Sequence, residues 1–221
     1  MNIIIIILLL YIINKFIKSF KYIILRYIFM KEKINIALIG DPILRNKTLD
    51  VKIKDITSSK VKKIIKKLIF TMRNLNGAGL AANQIFYNLR ICVIELQNNK
   101  RYKHLPNIPL TVLINPKLKV LNKSATFNSY EGCLSVPNLR GIVKRFKKVQ
   151  VNYYDENKNF YSKIISGFPA IVYQHEIDHL DGILFTDKVY NNKTLVSNLN
   201  YIKHYEKTYI KSIKKSFRMI K

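Results

Sequence analysis

The sequence predicts an α+β fold. One domain of mixed and antiparallel sheets is expected to pack around a central helix bearing a metal-binding pattern, with a further helix towards each end. Three observations lead there. Extended runs are predicted at Arg90–Leu96, Leu110–Asn115, Leu118–Leu121, Val149–Tyr154 and Phe160–Ile165, separated by turn signals. An apolar helix carrying His175, Glu176 and His179 comes late in the chain. Helical periodicity also marks the stretch after Ser58 and the basic segment that closes the sequence.

The central helix explains itself residue by residue. Ser166 is expected to cap it, Pro169 is tolerated in a first turn, and Gly182 offers a stop beyond Leu180. Ala170, Ile171, Val172, Tyr173, Ile177 and Leu180 make it apolar enough to be largely buried. His175 and His179 stand four apart and so project from one face, one turn apart. Two imidazoles so placed can bind one metal ion, with Glu176 beside it for proton transfer. The same pattern fits a core helix with two hydrogen-bonded histidines.

Of the other elements, Gly40-Asp41-Pro42-Ile43-Leu44-Arg45 reads as a turn leading into extended chain. From Ser58 or Ser59 a helix is predicted, its apolar face Val61, Ile64, Ile65, Leu68, Ile69 and Met72 opposed by lysines, ending near Asn76-Gly77. The small-residue run Gly77-Ala78-Gly79-Leu80-Ala81-Ala82-Asn83-Gln84 permits close backbone approach. It follows a helix, not a strand, and lacks the glycine spacing of a dinucleotide fingerprint. Residues 97–109 read as a polar loop, Asn115-Pro116 and Asp155-Glu156-Asn157 as turns, and Leu184-Phe185-Thr186-Asp187 as a strand.

Composition bounds the function classes. The 221 residues suit one domain with a sizeable core, and 48% hydrophobic content excludes a disordered chain. Cys92 and Cys133 exclude a secreted disulfide scaffold, and Cys92, on a predicted strand, reads as inert core. His104 and His204 have no ligand spacing and read as solvated. The formal net charge of +26 suits a polyanionic neighbourhood such as RNA, although lysine, isoleucine and asparagine are over-used throughout, as biased codon usage produces. Residues 1–29 are a hydrophobic and basic extension. Ile3 to Ile13 is too short to span a bilayer and lacks a signal peptide's basic start. The extension is read as an organelle-targeting or membrane-surface segment, or as an upstream start with translation beginning at Met30. Residues 30–190 form the expected catalytic domain and 191–221 a basic helical tail, in which Ile202, Tyr205, Tyr209, Ile213 and Phe217 would dock and the lysines face outward.

A site with two helical histidines needs a third protein ligand. The position at which metzincins place a further histidine is Phe185, and a gluzincin arrangement would have only Glu206 to draw on. Upstream, Cys133 lies in a tight Glu131-Gly132-Cys133-Leu134-Ser135 turn, where it is either a thiolate ligand or a small buried hydrophobe.

Gly77–Gln84, Glu131–Ser135 and Gln174–Gly182 occur in the order and approximate spacing found in peptide deformylases, and from about Ile36 to Lys188 the chain resembles that family. Gly40–Arg45 and Leu139-Arg140-Gly141 look like it too, whereas Asn83 and Ala78 depart from its usual residues. The resemblance implies removal of the formyl group from the formyl-methionine of new polypeptides, with release of formate. It implies one divalent metal, Fe²⁺ first and Ni²⁺, Co²⁺ or Zn²⁺ as substitutes, held by Cys133, His175 and His179. Glu176 would act as acid/base, with the Gln84 side-chain amide and the Leu134 backbone N–H as oxyanion donors. Phe168, Ile171 and Val172 would line the methionine pocket, and Gly77 and Gly79 would admit the peptide backbone as an added strand. Glu131 and Arg145 would support the ligands electrostatically. The implied partners are nascent formyl-methionyl chains and, through the tail, ribosomal RNA, for a monomer in a bacterial-type cytoplasm or, given a targeting leader, an organelle. The alternatives are another zinc endopeptidase using Glu206, and a ribosome- or RNA-binding relative without activity.

Overall fold

The computed structural model describes residues 35–97 and 107–218, with Lys15 ahead of them. Apart from Lys15, the 1–29 extension, together with His104 and most of the predicted 97–109 loop, therefore lies outside the described residues.

Helix α1 (Ser59–Asn74) forms as predicted. Ser58 Oγ accepts from Val61 N at 3.3 Å, capping the first turn, and Val61, Ile64, Ile65, Leu68 and Met72 are buried on one face. That face covers one side of a five-stranded antiparallel sheet, where it meets Leu80, Ile91, Val93, Val112 and Ile114. The strands are β1 (Gly79–Ala81), β2 (Ile91–Leu96), β3 (Ile108–Val120), β6 (Lys148–Tyr154) and β7 (Phe160–Ser166), in spatial order β1-β2-β3-β6-β7. The opposite side of the sheet, with Cys92, Ile94, Leu113, Val149 and Val151, packs on helix α2 (Phe168–Leu180) through Ala170, Ile171, Tyr173 and Ile177. A sheet sandwiched between two helices explains why β2 is buried nearly throughout instead of alternating. Cys92 is core, as expected, and burial pushes its thiol well up.

A second sheet joins β4 (Thr126–Cys133), β5 (Val136–Phe146) and the short β8 (Val196–Ser197). The α+β class with mixed helices and antiparallel sheets is thus observed.

Several local expectations are corrected. Leu110–Asn115 and the Leu118–Val120 part of the second run are one strand, β3, which also takes in Ile108 and Pro109 from the expected loop, with Leu121 just past its end. Asn115 does not end it. With φ of 52° it forms a register shift before Lys117, and its side-chain amide pairs with both backbone groups of Val51 at 2.8 Å. Ser166 ends β7, leaving Gly167, φ 73°, to start α2 with no side-chain cap. Gly182 stops that helix with φ of 75°, and a Cβ there would lie 2.8 Å from the Arg45 carbonyl carbon. Leu184–Asp187 is no strand. It gives way to a 3₁₀ turn, Phe185–Lys188, because Asp187 Oδ2 accepts from Leu184 N at 2.8 Å and pairs with Arg45. Asp41–Arg45 likewise holds a 3₁₀ turn, Pro42–Arg45, closed by Asp41 Oδ1 on Ile43 N.

The tail passes through a helical turn (Asn198–Asn200) and a π-helical turn (Tyr201–Tyr205) into helix α3 (Glu206–Arg218). Ile213 is 3% exposed and joins the α2 core with Tyr209, whereas Ile202 and Tyr205 are 52% and 41% exposed, contrary to the predicted face. The Phe217 side chain lies outside the description. Among the described residues no helix is long and apolar enough to cross a membrane.

Candidate active site

α2 brings His175 and His179 together from consecutive turns, their ring centroids 4.9 Å apart. The third group arrives from the second sheet. β4 and β5 form a hairpin in which Cys133 faces Val136, so Leu134 and Ser135 are its two-residue turn, and a register shift between Glu131 and Cys133 turns the strand end towards α2. Cys133 Sγ lies 3.1 Å from His179 Nε2, and one donor atom from each of Cys133, His175 and His179 falls within 4.8 Å of the others.

The surrounding polar network fixes these donors. His175 Nδ1 is 2.9 Å from Glu131 Oε2, which leaves its Nε2 for the centre of the cluster. Glu131 is gripped by Arg145 through two bonds of 2.7 and 2.8 Å, and Arg145, 2% exposed, also pairs with Asp178 one turn along α2. Lys188 closes the chain on Asp178 at 2.6 Å. Burial alone would raise the Glu131 carboxyl, but the charge and hydrogen bonds of Arg145, with help from His175, bring it down to about 2. Burial likewise opposes ionisation of Cys133, yet His179 and His175 hold its thiol well below the ordinary range. A thiolate converging with two imidazoles, one of them oriented by a buried carboxylate, is a donor set that suits a divalent transition metal.

The sequence profile described as Polypeptide deformylase matches residues 33–195. The chain belongs to the polypeptide deformylase family.

It is 36% identical over 170 residues to Peptide deformylase 2 of Nostoc sp., covering 77% of this chain and 93% of that protein. To the peptide deformylase of Leptospira biflexa it is 40% identical over 159 residues, 72% of this chain and 88% of that one. Among solved structures, the Met-Ala-Ser-bound class I type b peptide deformylase from Acinetobacter baumannii is similar with a TM-score of 0.65 and 34% identity, covering 70% of this chain and 96% of that chain.

The remaining candidate residues surround the Cys133–His175–His179 cluster. Glu176 is 4% exposed and burial pushes its carboxyl up to about 7 against the pull of the neighbouring histidines. Its Oε2 has no hydrogen-bond partner among the described residues. The missing Cβ of Gly79 makes room for it, since a Cβ there would sit 2.6 Å from Glu176 Cγ. Gly77 is tight in another way: its Cβ would lie 3.0 Å from Leu134 Cδ1. The 3₁₀ turn Ala82–Ile85 presents Gln84, whose Oε1 accepts from Ala81 N at 2.8 Å while Nε2 donates to Ser135 Oγ at 3.0 Å and lies 3.5 Å from Cys133 Sγ. Phe168, Ile171 and Val172, one face of α2, line a cavity of about 300 Å³ that also includes Gly77, Gly79 and Leu134.

Several participants escaped the sequence reading. Ser135, fully buried, orients Gln84 and lay in plain view within the Glu131–Ser135 motif. Asn83 donates to the His179 carbonyl, tying the Gln84 turn to the end of α2. Tyr201 and Tyr209 from the tail wall the cavity; helical periodicity marked Tyr209 as docking but not as part of the site, and nothing local marked Tyr201. Glu206 also lines that cavity but lies outside the Cys133–His175–His179 cluster, which removes the support for a glutamate-ligated endopeptidase.

Proposed function

We propose that this chain carries out its family's metal-dependent hydrolysis of N-formyl-methionyl polypeptides with Cys133, His175 and His179 as metal ligands and Glu176 as the proton carrier. The observation that supports it most is the convergence of three ligand donors beside a buried carboxyl with an unpartnered oxygen. A divalent ion supplies Lewis-acid chemistry, polarising the formyl carbonyl and making water a nucleophile near neutral pH. A thiolate with two imidazoles fits Fe²⁺, with Ni²⁺, Co²⁺ or Zn²⁺ as substitutes.

The chain's own residues do the rest. Glu176 takes a proton from the attacking water at Oε2 and returns it to the departing amine nitrogen, a task suited to a carboxyl near 7. Gln84 Nε2 and the Leu134 backbone N–H donate to the oxygen that gains charge, each worth about 3 kcal/mol in the transition state. Gln84 is already locked by Ala81 and Ser135, so little reorganisation accompanies the step. Glu131, fixed by Arg145, holds the His175 tautomer. Phe168, Ile171 and Val172 receive the methionine side chain, and the Gly77–Gly79 segment lies alongside the substrate backbone.

The reading extends to residues 30–190 as the catalytic portion and to 191–221 as a tail that completes the cavity wall and binds ribosomal RNA. It describes a monomer in a bacterial-type cytoplasm, or in an organelle where residues 1–29 serve as a leader. The test is formate release from formyl-methionyl peptides by the full chain prepared without oxygen and loaded with Fe²⁺ or Ni²⁺. Release is expected with both metals, and loss in air with iron alone, since Fe²⁺ and its thiolate are oxidisable. A folded, metal-loaded protein that releases no formate would sink the assignment.

A further inference from the structure

Among the polar side chains of the cavity that the chemistry above does not use, Ser129 and Tyr209 form a hydroxyl pair. Ser129 lies on β4 two residues before Glu131 and so on the same face of the strand, ahead of the register shift that precedes Cys133. It is 1% exposed, and its Oγ is 2.6 Å from the Tyr209 hydroxyl on α3. Both residues line the same cavity as Phe168, Ile171 and Val172. Strand β4 runs from Cys133 back to Ser129, and α2 from His175 back to Phe168, so both carry the wall away from the ligand cluster. The two hydroxyls therefore belong to the part of the pocket that meets the end of a bound side chain, not the reacting carbonyl.

Either hydroxyl can donate across this pair, and the greater acidity of a phenol favours Tyr209 as the donor to Ser129 Oγ. The serine proton is then left for another acceptor, and among the described residues the Ser129 side chain has no second hydrogen-bond partner. A buried hydroxyl beside the apolar Phe168, Ile171 and Val172 discriminates between side chains by what their ends can accept. Norleucine offers nothing, a thioether sulfur is a weak acceptor, and a sulfoxide oxygen is a strong polar one. Without a donor, a sulfoxide would lose its hydration uncompensated.

We propose that Ser129, oriented by Tyr209, is a specificity-determining residue that donates a hydrogen bond to the end of the substrate's first side chain, so that chains beginning with methionine sulfoxide are accepted alongside methionine. This rests on the deformylase reading of the pocket but is tested apart from turnover. Calorimetry on the full-length, metal-loaded protein compares three unformylated peptides that differ only in a first residue of methionine, methionine sulfoxide or norleucine. The wild type is expected to bind the sulfoxide peptide within about fivefold of the methionine peptide, the scale of one neutral hydrogen bond. Ser129→Ala is expected to lower the sulfoxide-to-norleucine affinity ratio about fivefold or more. Tyr209→Phe keeps the ring that packs on Tyr130 and Phe127, at centroid distances of 5.7 and 6.2 Å, and should lower the ratio less, so it decides the matter if Ser129→Ala does not fold. A ratio unchanged in the folded variants, or wild-type exclusion of the sulfoxide peptide by about a hundredfold, overturns the proposal. Formate release by the wild type is read separately, so failure of the reaction and failure of this pocket assignment are distinguishable.

Discussion

Glu176 and Gly79 form a pair at the scale of single residues. The carboxyl is buried, raised to about 7 and lacks a partner at Oε2 among the described residues, and it occupies the space that a side chain at position 79 would need. Glu176→Gln keeps the shape and removes the proton carrier. It is expected to retain one metal per chain while kcat falls at least about a hundredfold, the usual scale for a general acid/base. Metal analysis beside formate release checks this; metal lost with the glutamate would make it structural instead. Gly79→Ala should act through the same atom, because its Cβ must displace Glu176, so kcat falls with metal content intact. Gly77→Ala is the control. Its Cβ meets a Leu134 methyl at 3.0 Å and the Gly79 carbonyl oxygen at 3.1 Å but does not reach Glu176, so a milder loss is expected. Equal effects at the two glycines would contradict this account. The placement of His175 and His179 side by side was legible in the sequence because an i, i+4 pair has one geometric meaning on a helix, whereas Cys133 joined them only through the family resemblance. Ser129 and Tyr209 were not legible as a pair, since their meeting depends on how α3 docks against β4.

At the scale of elements, what the sequence disclosed was local and what it hid was cross-strand. α1, α2, β6 and β7 follow from local pattern, with Ser58 capping α1 and Gly182 stopping α2, although the Ser166 cap expected for α2 does not form. The β4–β5 hairpin, which delivers Cys133, went unread although it spans two long strands. Its pattern is broken by Asn138, with φ of 60°, by Gly141 and by the basic residues Arg140, Lys144 and Arg145. Two of those, Arg140 and Arg145, are buried against partners from other elements, Asn198, Glu131 and Asp178, which no local pattern announces. In the tail, the π-helical turn adds a residue to the local repeat, so Tyr201 instead of Ile202 turns inward before Tyr209 and Ile213. The β6–β7 turn offers a test at this scale. Asp155 accepts from the backbone of Asn157 and Asn159, the Asn159 amide and the Tyr161 hydroxyl. Burial opposes its ionisation slightly, but these bonds hold the carboxyl below its ordinary range. A depressed folded pKa gives stability that is present above the unfolded value of about 3.9 and is lost as pH falls through the folded one. Wild type should therefore exceed Asp155→Ala in urea midpoint at pH 6, with the gap narrowing at pH 3. A gap independent of pH would mean the turn does not depend on the charge.

For the whole molecule, the question is what a net charge of +26 does. α3 cannot be treated as a detachable appendage, because Ile213 is core and Tyr209 walls the cavity, so removing the tail would damage catalysis and docking together. Charge reversal separates the two. Lys207, Lys211 and Lys214 are exposed on α3, and none of them lines the cavity. If the helix reads phosphates without reading bases, ribosome affinity comes largely from counterion release and falls steeply with salt. Changing all three lysines to glutamate should weaken ribosome binding at least about tenfold at low salt. It should also flatten the log–log salt dependence by roughly two to three, about one for each lost phosphate contact. Turnover of free formyl-methionyl peptides should stay within about twofold, since the cavity wall is untouched. Sedimentation of the variant with ribosomes across a salt series, alongside formate release, supplies both readings. An affinity and slope equal to those of the wild type would mean that these lysines only solvate the helix, and that the charge excess of this chain reflects composition, not docking.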